Sequence, residues 1–213
     1  MIASYSHDFI FIKTRKTSGT SAEIVMSSWC GGRDVCTPIS TEDEVIRREY
    51  GGAPMNHKYL GLTRFYNHMP AWKVRKRLPD LWPRAFKFSV DRHPYEKAVS
   101  LAAYHLGRRG EYGIGDLRRE VDRTIDRKTY LNAPLYMIDG KISLDKLLKF
   151  NDFWPWLREF AEERKLPIAG IPKAKSRFGA GNDIYRSFEL SQEQKRKIRD
   201  GASLEFDIFG WEY

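Results

Sequence analysis

With 213 residues, 41% of them hydrophobic and 31% charged, the chain is long enough for a domain with a substantial core and too apolar for a disordered segment. Its net charge of +9 points to an anionic ligand, an anionic acceptor, nucleic acid or a membrane surface. No apolar run reaches the roughly 18 residues of a transmembrane helix, and Met-Ile-Ala-Ser-Tyr-Ser-His-Asp has no basic flank followed by an apolar stretch, so no signal peptide is expected. Cys30 and Cys36 are too few for a disulfide scaffold or a four-ligand zinc site, so they read as reduced thiols of a cytoplasmic protein, with a mutual disulfide as the lesser alternative.

In chain order, Phe9-Ile10-Phe11-Ile12 predicts a strand buried on both faces. A basic, small-residue turn follows: Arg15, Lys16, Thr17, Ser18, Gly19, Thr20 and Ser21. Ala22-Glu23-Ile24-Val25-Met26 then begins a helical pattern, and the capping-box spacing of Thr20 and Glu23 predicts the helix start there. A strand, a loop of donors and a helix N-terminus make an anion site, to which Lys16 adds a full charge. A capped helix after a strand, with a solvated lysine, is the plain alternative. The lysine precedes the glycine, which is not the G-x-x-x-x-G-K-[ST] order of a nucleotide-kinase P-loop.

Thr41-Glu42-Asp43-Glu44 opens a second helix, ended by Gly51-Gly52. Tyr59 to Tyr66 reads as a weak strand running into Asn67-His68-Met69-Pro70, with Pro70 in the first turn of the next helix. His68 therefore sits in a strand-to-helix turn, the place where open α/β sheets bind ligands. Lys73, Arg75, Lys76 and Arg77 form a basic cluster that is either a solvated face or a ligand contact. Phe86-Lys87-Phe88-Ser89-Val90 alternates as a strand. A helix from Pro94 to about Leu106 follows, with Gly107 as its stop, a buried stripe of Tyr95, Val99, Ala102, Ala103 and Leu106, and Lys97 and Ser100 on another face.

Farther on, Leu117, Val121 and Ile125 have helical spacing. Residues 136–143 read as a hairpin with an Asp139-Gly140 turn. A helix is predicted from about Trp154 to Arg164, and Ser191 with Gln194 opens the last one. Between them lies a basic loop, Lys173 to Asn182.

Lys16-Thr17-Ser18-Gly19-Thr20-Ser21 resembles the 5'-phosphosulfate loop, P-K-T-G-G-T-S, of sulfotransferases that use 3'-phosphoadenosine 5'-phosphosulfate (PAPS); Arg15 stands for the proline and Ser18 for the first glycine. Arg92-His93-Pro94-Tyr95-Glu96-Lys97-Ala98-Val99-Ser100 resembles that family's R-[DN]-P-Y-E-R-A-V-S segment, with His93 and Lys97 as the departures. Residues 65–70 resemble the G-H-x-P segment of carbohydrate sulfotransferases, Asn67 replacing the glycine. The end, Phe206 to Trp211, is similar to the family's D-x-x-x-F-G-Y tail.

The resemblance implies an α/β fold: one P-loop-like domain over residues 1–213, with a mostly parallel central sheet flanked by helices on both faces. It implies sulfuryl transfer from PAPS to an acceptor hydroxyl, possibly of a carbohydrate, or to an amine, leaving adenosine 3',5'-bisphosphate (PAP). Arg15, Lys16, Thr17, Ser18, Gly19, Thr20 and Ser21 would hold the 5' end, and Arg92 and Ser100 the 3'-phosphate. Lys16 would stabilise the leaving group and His68 would act as base, with His57 as its substitute; His7 and His105 have no motif around them. The 173–182 loop would close over the donor. No metal, nucleic acid or membrane span is implied. The rivals are a small-molecule kinase built on the same loop and a basic nucleic-acid-binding module, although neither RNP1 nor paired C-x-x-C is present.

Overall fold

A computed structural model describes residues 1–56, 58, 59, 62–172, 174 and 183–212. In chain order they form β1 (Ile2–Ser4), β2 (Phe9–Ile12), α1 (Gly19–Ser27), β3 (Val35–Cys36), α2 (Thr41–Glu49), β4 (Lys58–Tyr59), β5 (Leu62–Thr63), α3 (Ala71–Arg77), β6 (Phe86–Asp91) and α4 (Pro94–Gly107). Then come α5 (Ile114–Asp126), α6 (Ala133–Tyr136), β7 (Met137–Ile138), β8 (Lys141–Ile142), β9 (Lys146–Lys149), α7 (Phe153–Glu163), α8 (Asp183–Ser187), α9 (Gln192–Gly201) and α10 (Ser203–Phe209). The chain divides into two compact units. The first contains Met1–Thr14, Ser18–Asp91 and Pro134–Ala174. The second contains Arg15–Thr17, Arg92–Ala133 and the described part of 175–213.

The first unit is built on a five-stranded mixed sheet in the order β3-β1-β2-β6-β9. The β2–β6 and β6–β9 pairs are parallel, whereas β1–β2 and β1–β3 are antiparallel, so the expected mostly parallel sheet is corrected to an evenly mixed one. The cause is the Tyr5–Asp8 connection between β1 and β2, which is far too short for the crossover a parallel pair needs. Asp34 secures that turn: its carboxylate accepts from the N–H groups of Tyr5 at 2.6 Å and Ser6 at 3.1 Å.

The apolar run of β2 is fully buried, as its composition requires. Phe9 and Phe11 face a cluster containing Phe88 of β6, Val25 and Met26 of α1, and Phe153, Leu157 and Phe160 of α7. Ile10 and Ile12 face the opposite cluster, with Ala71 and Val74 of α3, Leu78 and Leu81. Each such side chain contributes about 1.5–3 kcal/mol by leaving water, which is why the alternation of β2 fixes both layers of helices. The predicted strand from Tyr59 to Tyr66 is instead two strands, β4 and β5, paired antiparallel. The hairpin of β7 and β8 turns at Asp139 and Gly140, both left-handed (φ 51° and 74°), which is the backbone that an Asp-Gly turn supplies.

The helix start predicted from Thr20 and Glu23 is corrected. Helix α1 begins at Gly19 after a left-handed Ser18 with no side-chain cap. Glu23 is fully buried instead: Oε2 pairs with Lys13 Nζ at 2.6 Å and Oε1 with the Met1 ammonium. A buried lysine makes a stronger claim on that carboxylate than a helix end does.

The second unit is helical. Helix α4 runs from Pro94 to Gly107, and His93 caps it by accepting from the Tyr95 N–H at 3.3 Å. Gly107 stays within the helix, and the chain reverses at Gly110, whose φ is 138°. Ala98, Leu101 and Ala102 pack on Leu117, Val121 and Ile125 of α5, Ile198 of α9 and Phe206 of α10. Lys97 is also buried, paired with Glu205 Oε2 at 2.6 Å. Ser191 and Gln194 form the predicted capping box of α9. Among the described residues no helix is long and apolar enough to cross a membrane.

Candidate functional site

The loop after β2 is divided: Arg15, Lys16 and Thr17 belong to the second unit, Ser18 onward to the first. Lys16 and Ser18 are left-handed, with φ 60° and 57°, and flank a buried Thr17 that is not.

Within the second unit, Lys16 Nζ lies 4.4 Å from the centre of the Tyr104 ring. Arg92 Nε bonds Glu96 Oε2 at 2.7 Å. Glu96, Ser100 and Tyr104 follow one another at four-residue spacing on α4, so they lie along one stripe of the helix, over about 12 Å. Both cations and Ser100 are thus gathered on a single helical face. Ser100 is buried, while Arg92 keeps 19% of its side-chain surface exposed.

Arg15 is held differently. Its N–H donates to Asn132 Oδ1 at 2.9 Å, its carbonyl accepts from Asn132 Nδ2 at 3.1 Å, and Nη1 donates to the Leu131 carbonyl at 3.3 Å. Burial pushes its pKa down from the ordinary arginine value. Asn132 is positioned in turn by Glu205, whose Oε1 accepts from the N–H groups of Asn132 at 2.5 Å and Ala133 at 2.8 Å. The main chain of Arg15 therefore anchors the loop rather than facing a ligand.

Within the first unit, the remaining loop residues start α1. The Ser18 carbonyl takes the first helical bond, from Ala22 at 3.0 Å, so the N–H groups of Gly19, Thr20 and Ser21 have no acceptor inside the helix. Gly19 is required by packing: a Cβ there would stand 2.7 Å from Lys13 Cγ. Thr20 and Ser21 are buried.

His68 lies in the turn between β5 and α3, with φ 56°. Pro70 caps α3 from just outside it, one position earlier than its expected place in the first turn. The His68 Nδ1 stands 3.2 Å from the Lys13 carbonyl, at the carboxyl end of β2. A carbonyl only accepts, so Nδ1 carries a proton in this bond. Near the ends of the same strands, Asp91 Oδ2 accepts from the Tyr136 hydroxyl at 3.1 Å.

Lys16, Arg92 and Ser100 thus lie along α4 in one unit, and His68 faces the Lys13 carbonyl in the other. Reading the sequence missed Glu96, Tyr104, Asn132 and Glu205. The four-residue spacing from Arg92 to Glu96 and from Ser100 to Tyr104 was the available signal for the first two; nothing local marks the others. His57 and the 173–182 loop, apart from Ala174, lie outside the described residues. Among the described residues, no three His, Cys, Asp or Glu side chains group as metal ligands. Comparison with protein-family models, curated proteins and solved structures gave no match.

Proposed function

We propose that the protein is a PAPS-dependent sulfotransferase with a P-loop-like donor site, transferring a sulfuryl group to an acceptor hydroxyl. The observation that carries this reading is the α4 stripe, where Arg92 and Lys16 are held on either side of Ser100 by Glu96 and Tyr104. A guanidinium and a hydroxyl suit a phosphate monoester: the planar fork takes two oxygens and the serine adds a neutral donor. Both residues stand where the sulfotransferase-like segment has them.

The residues divide the work. Arg92 and Ser100 would bind the 3'-phosphate. The first-turn amides of α1 would receive the 5' end. Lys16 would stabilise negative charge on the departing 5'-phosphate, for which it has to leave the Tyr104 ring. His68 Nε2 would take the acceptor's proton, with the Lys13 carbonyl holding the ring. The chemistry supplied by the donor is a sulfuryl group on a good phosphate leaving group.

Calorimetry on the full chain tests the reading. PAP should bind without magnesium and more tightly than AMP, which lacks the 3'-phosphate; equal affinity of the two removes Arg92 and Ser100 from their role. Preferential binding of magnesium-ATP would favour the kinase, and salt-sensitive binding of random oligonucleotides without any for PAP would favour the nucleic-acid module.

A further inference from the structure

Cys30 and Cys36 are the chain's two cysteines, and the first unit brings them together. Cys30 follows the end of α1, and Cys36 ends β3, where it pairs with Ile2 of β1. The turn between them is anchored on both sides. The Asp34 N–H donates to the Gly31 carbonyl at 3.1 Å, and the Asp34 carboxylate accepts from the Gly31 N–H at 2.8 Å and the Ser4 hydroxyl at 3.2 Å. On the other side Asn56 accepts from the Cys36 N–H at 3.1 Å and donates to the Asp34 carbonyl. A turn held this way keeps the two side chains in register. Both pack against the same core cluster, and their thiols are hydrogen-bonded to each other.

The two sulfurs are not equivalent. Cys30 is partly exposed, and its Sγ also lies 3.3 Å from the Met26 carbonyl in the last turn of α1. The bond it gives Cys36, and then burial, push its pKa up. Cys36 is fully buried and receives that bond, which chiefly holds its pKa below the ordinary value against the effect of burial. The Arg47 guanidinium works in the same direction. Arg47 is fully buried too: Nη1 pairs with Glu44 at 2.8 Å, Nη2 donates to the carbonyl of Thr37, next to Cys36, at 3.3 Å, and Nε has no acceptor. The Asp34 carboxylate opposes this, but its oxygens already take four donors, from Ser4, Tyr5, Ser6 and Gly31. A buried cation with an unused donor favours a thiolate beside it. Cys36 is therefore the more acidic thiol, and Cys30 is the one that solvent reaches.

We propose that Cys30 and Cys36 form a reversible dithiol–disulfide site that reacts with small-molecule disulfides. The Cys36 thiolate takes the Cys30 proton, and the Cys30 thiolate attacks one sulfur of the external disulfide. That S–S bond breaks, a mixed disulfide forms on Cys30, and the departing thiolate takes the proton back from Cys36. Cys36 then attacks the Cys30 sulfur, the bond between the two cysteines forms, and the second external sulfur leaves as a thiolate that water protonates. The cysteines lose two electrons and the external disulfide gains them. Two small thiols reverse the sequence. The proposal stands apart from the sulfuryl-transfer reading, since none of its groups belongs to the candidate donor site.

The full chain is incubated with excess oxidised glutathione, alkylated with iodoacetamide and digested with trypsin without reductant. Lys16, Arg33 and Arg47 bound the two cysteine peptides, so cleavage after Arg33 parts Cys30 from Cys36, and a disulfide keeps residues 17–33 joined to 34–47. Mass spectrometry should find the joined peptides, and an excess of reduced glutathione should part them. Cys36→Ser should stop at glutathione bound to Cys30, formed at least roughly 10-fold more slowly than the parent's disulfide, because the positioned base is gone. Cys36→Ala gives the same reading where the serine variant does not fold. Cys30→Ser should take up no glutathione, since Cys36 is fully buried. Two alkylated cysteines in the treated parent overturn the proposal, as does glutathione that stays on Cys30 of the parent. So does a disulfide between two chains, seen as a dimer in non-reducing electrophoresis, or one that reduced glutathione does not open. Glutathione on Cys36 of Cys30→Ser overturns the order of attack.

Discussion

Lys97 and Glu205 are 108 residues apart in sequence and 2.6 Å apart in the structure, both fully buried. The pair joins α4 to α10, and Glu205 extends it through Asn132 to the backbone of Arg15. Through this chain of contacts the buried Lys97 charge braces the loop that begins at Arg15.

Breaking this pair should be costly. Lys97→Met should lower stability by about 3 kcal/mol or more, the usual scale for leaving a buried charge alone. Glu205→Met should cost more still, because it strands the lysine and also the N–H groups of Asn132 and Ala133. Urea unfolding measures both. A Glu205→Met variant no less stable than Lys97→Met would show that the two amides find other acceptors.

A second prediction concerns Arg92. Its guanidinium is held by Glu96, a carboxylate that a phosphate must share or displace. Glu96→Gln should therefore raise the affinity for PAP severalfold and leave that for AMP unchanged. Arg92→Ala should lower PAP affinity by roughly 10-fold or more, as expected for a charge-assisted hydrogen bond. Lys16→Ala should lower turnover more than PAP affinity, because its charge matters most as the leaving group forms. Calorimetry beside steady-state kinetics separates these effects. Weaker PAP binding by Glu96→Gln would mean that Glu96 orients Arg92 rather than competing for it.

What could be read from the sequence was what local chemistry decides. Strands β2 and β6, the Asp139-Gly140 turn and the Ser191 capping box each carry their signal within a few residues. Strands β1 and β3, of three and two residues, exist only through their pairing with each other and with β2, and no local pattern announces them. They are also the strands that make the sheet mixed. Glu23 misled because its partner, Lys13, lies ten residues upstream, just past the end of β2. Lys16, Arg92, Ser100 and His68 were singled out by their motifs. Their supports were not: Asn132 meets Arg15 across 117 residues, and the Lys13 carbonyl meets His68 across 55.

A third prediction follows from His93, the cap of α4. Its Nδ1 accepts from the Tyr95 N–H, and its Nε2 donates to the Glu212 carbonyl at 3.4 Å, an arrangement open only to the neutral ring. Burial, chiefly, pushes its pKa below the ordinary 6.5. Between that lowered value and 6.5 the unfolded chain binds a proton that the folded chain does not, so this contribution to stability is present above 6.5 and is lost as the pH falls through that window. His93→Asn keeps a capping side chain and removes the titration. The melting temperature of the variant should change less than that of the parent as pH falls from about 7.5 to about 5. The same slope in both proteins would assign the acid sensitivity to other groups.

The last prediction concerns His68. With Nδ1–H given to the Lys13 carbonyl, the proposed base would act through Nε2. The sharpest probe is His68→Asn rather than alanine. At φ 56° a left-handed backbone tolerates asparagine better than alanine, and the amide can still donate to the Lys13 carbonyl. The variant should therefore fold and bind PAP as the parent does, while turnover drops by roughly 100-fold or more, the scale of a positioned base. The assay uses the acceptor that supports the highest turnover, with His57→Ala as the comparison. Near-parental turnover in His68→Asn removes His68 as the base. A dead but PAP-binding His57→Ala beside an active His68→Asn would move the role to His57, and full activity in both would leave a carboxylate such as Glu49, or the acceptor itself, to take the proton.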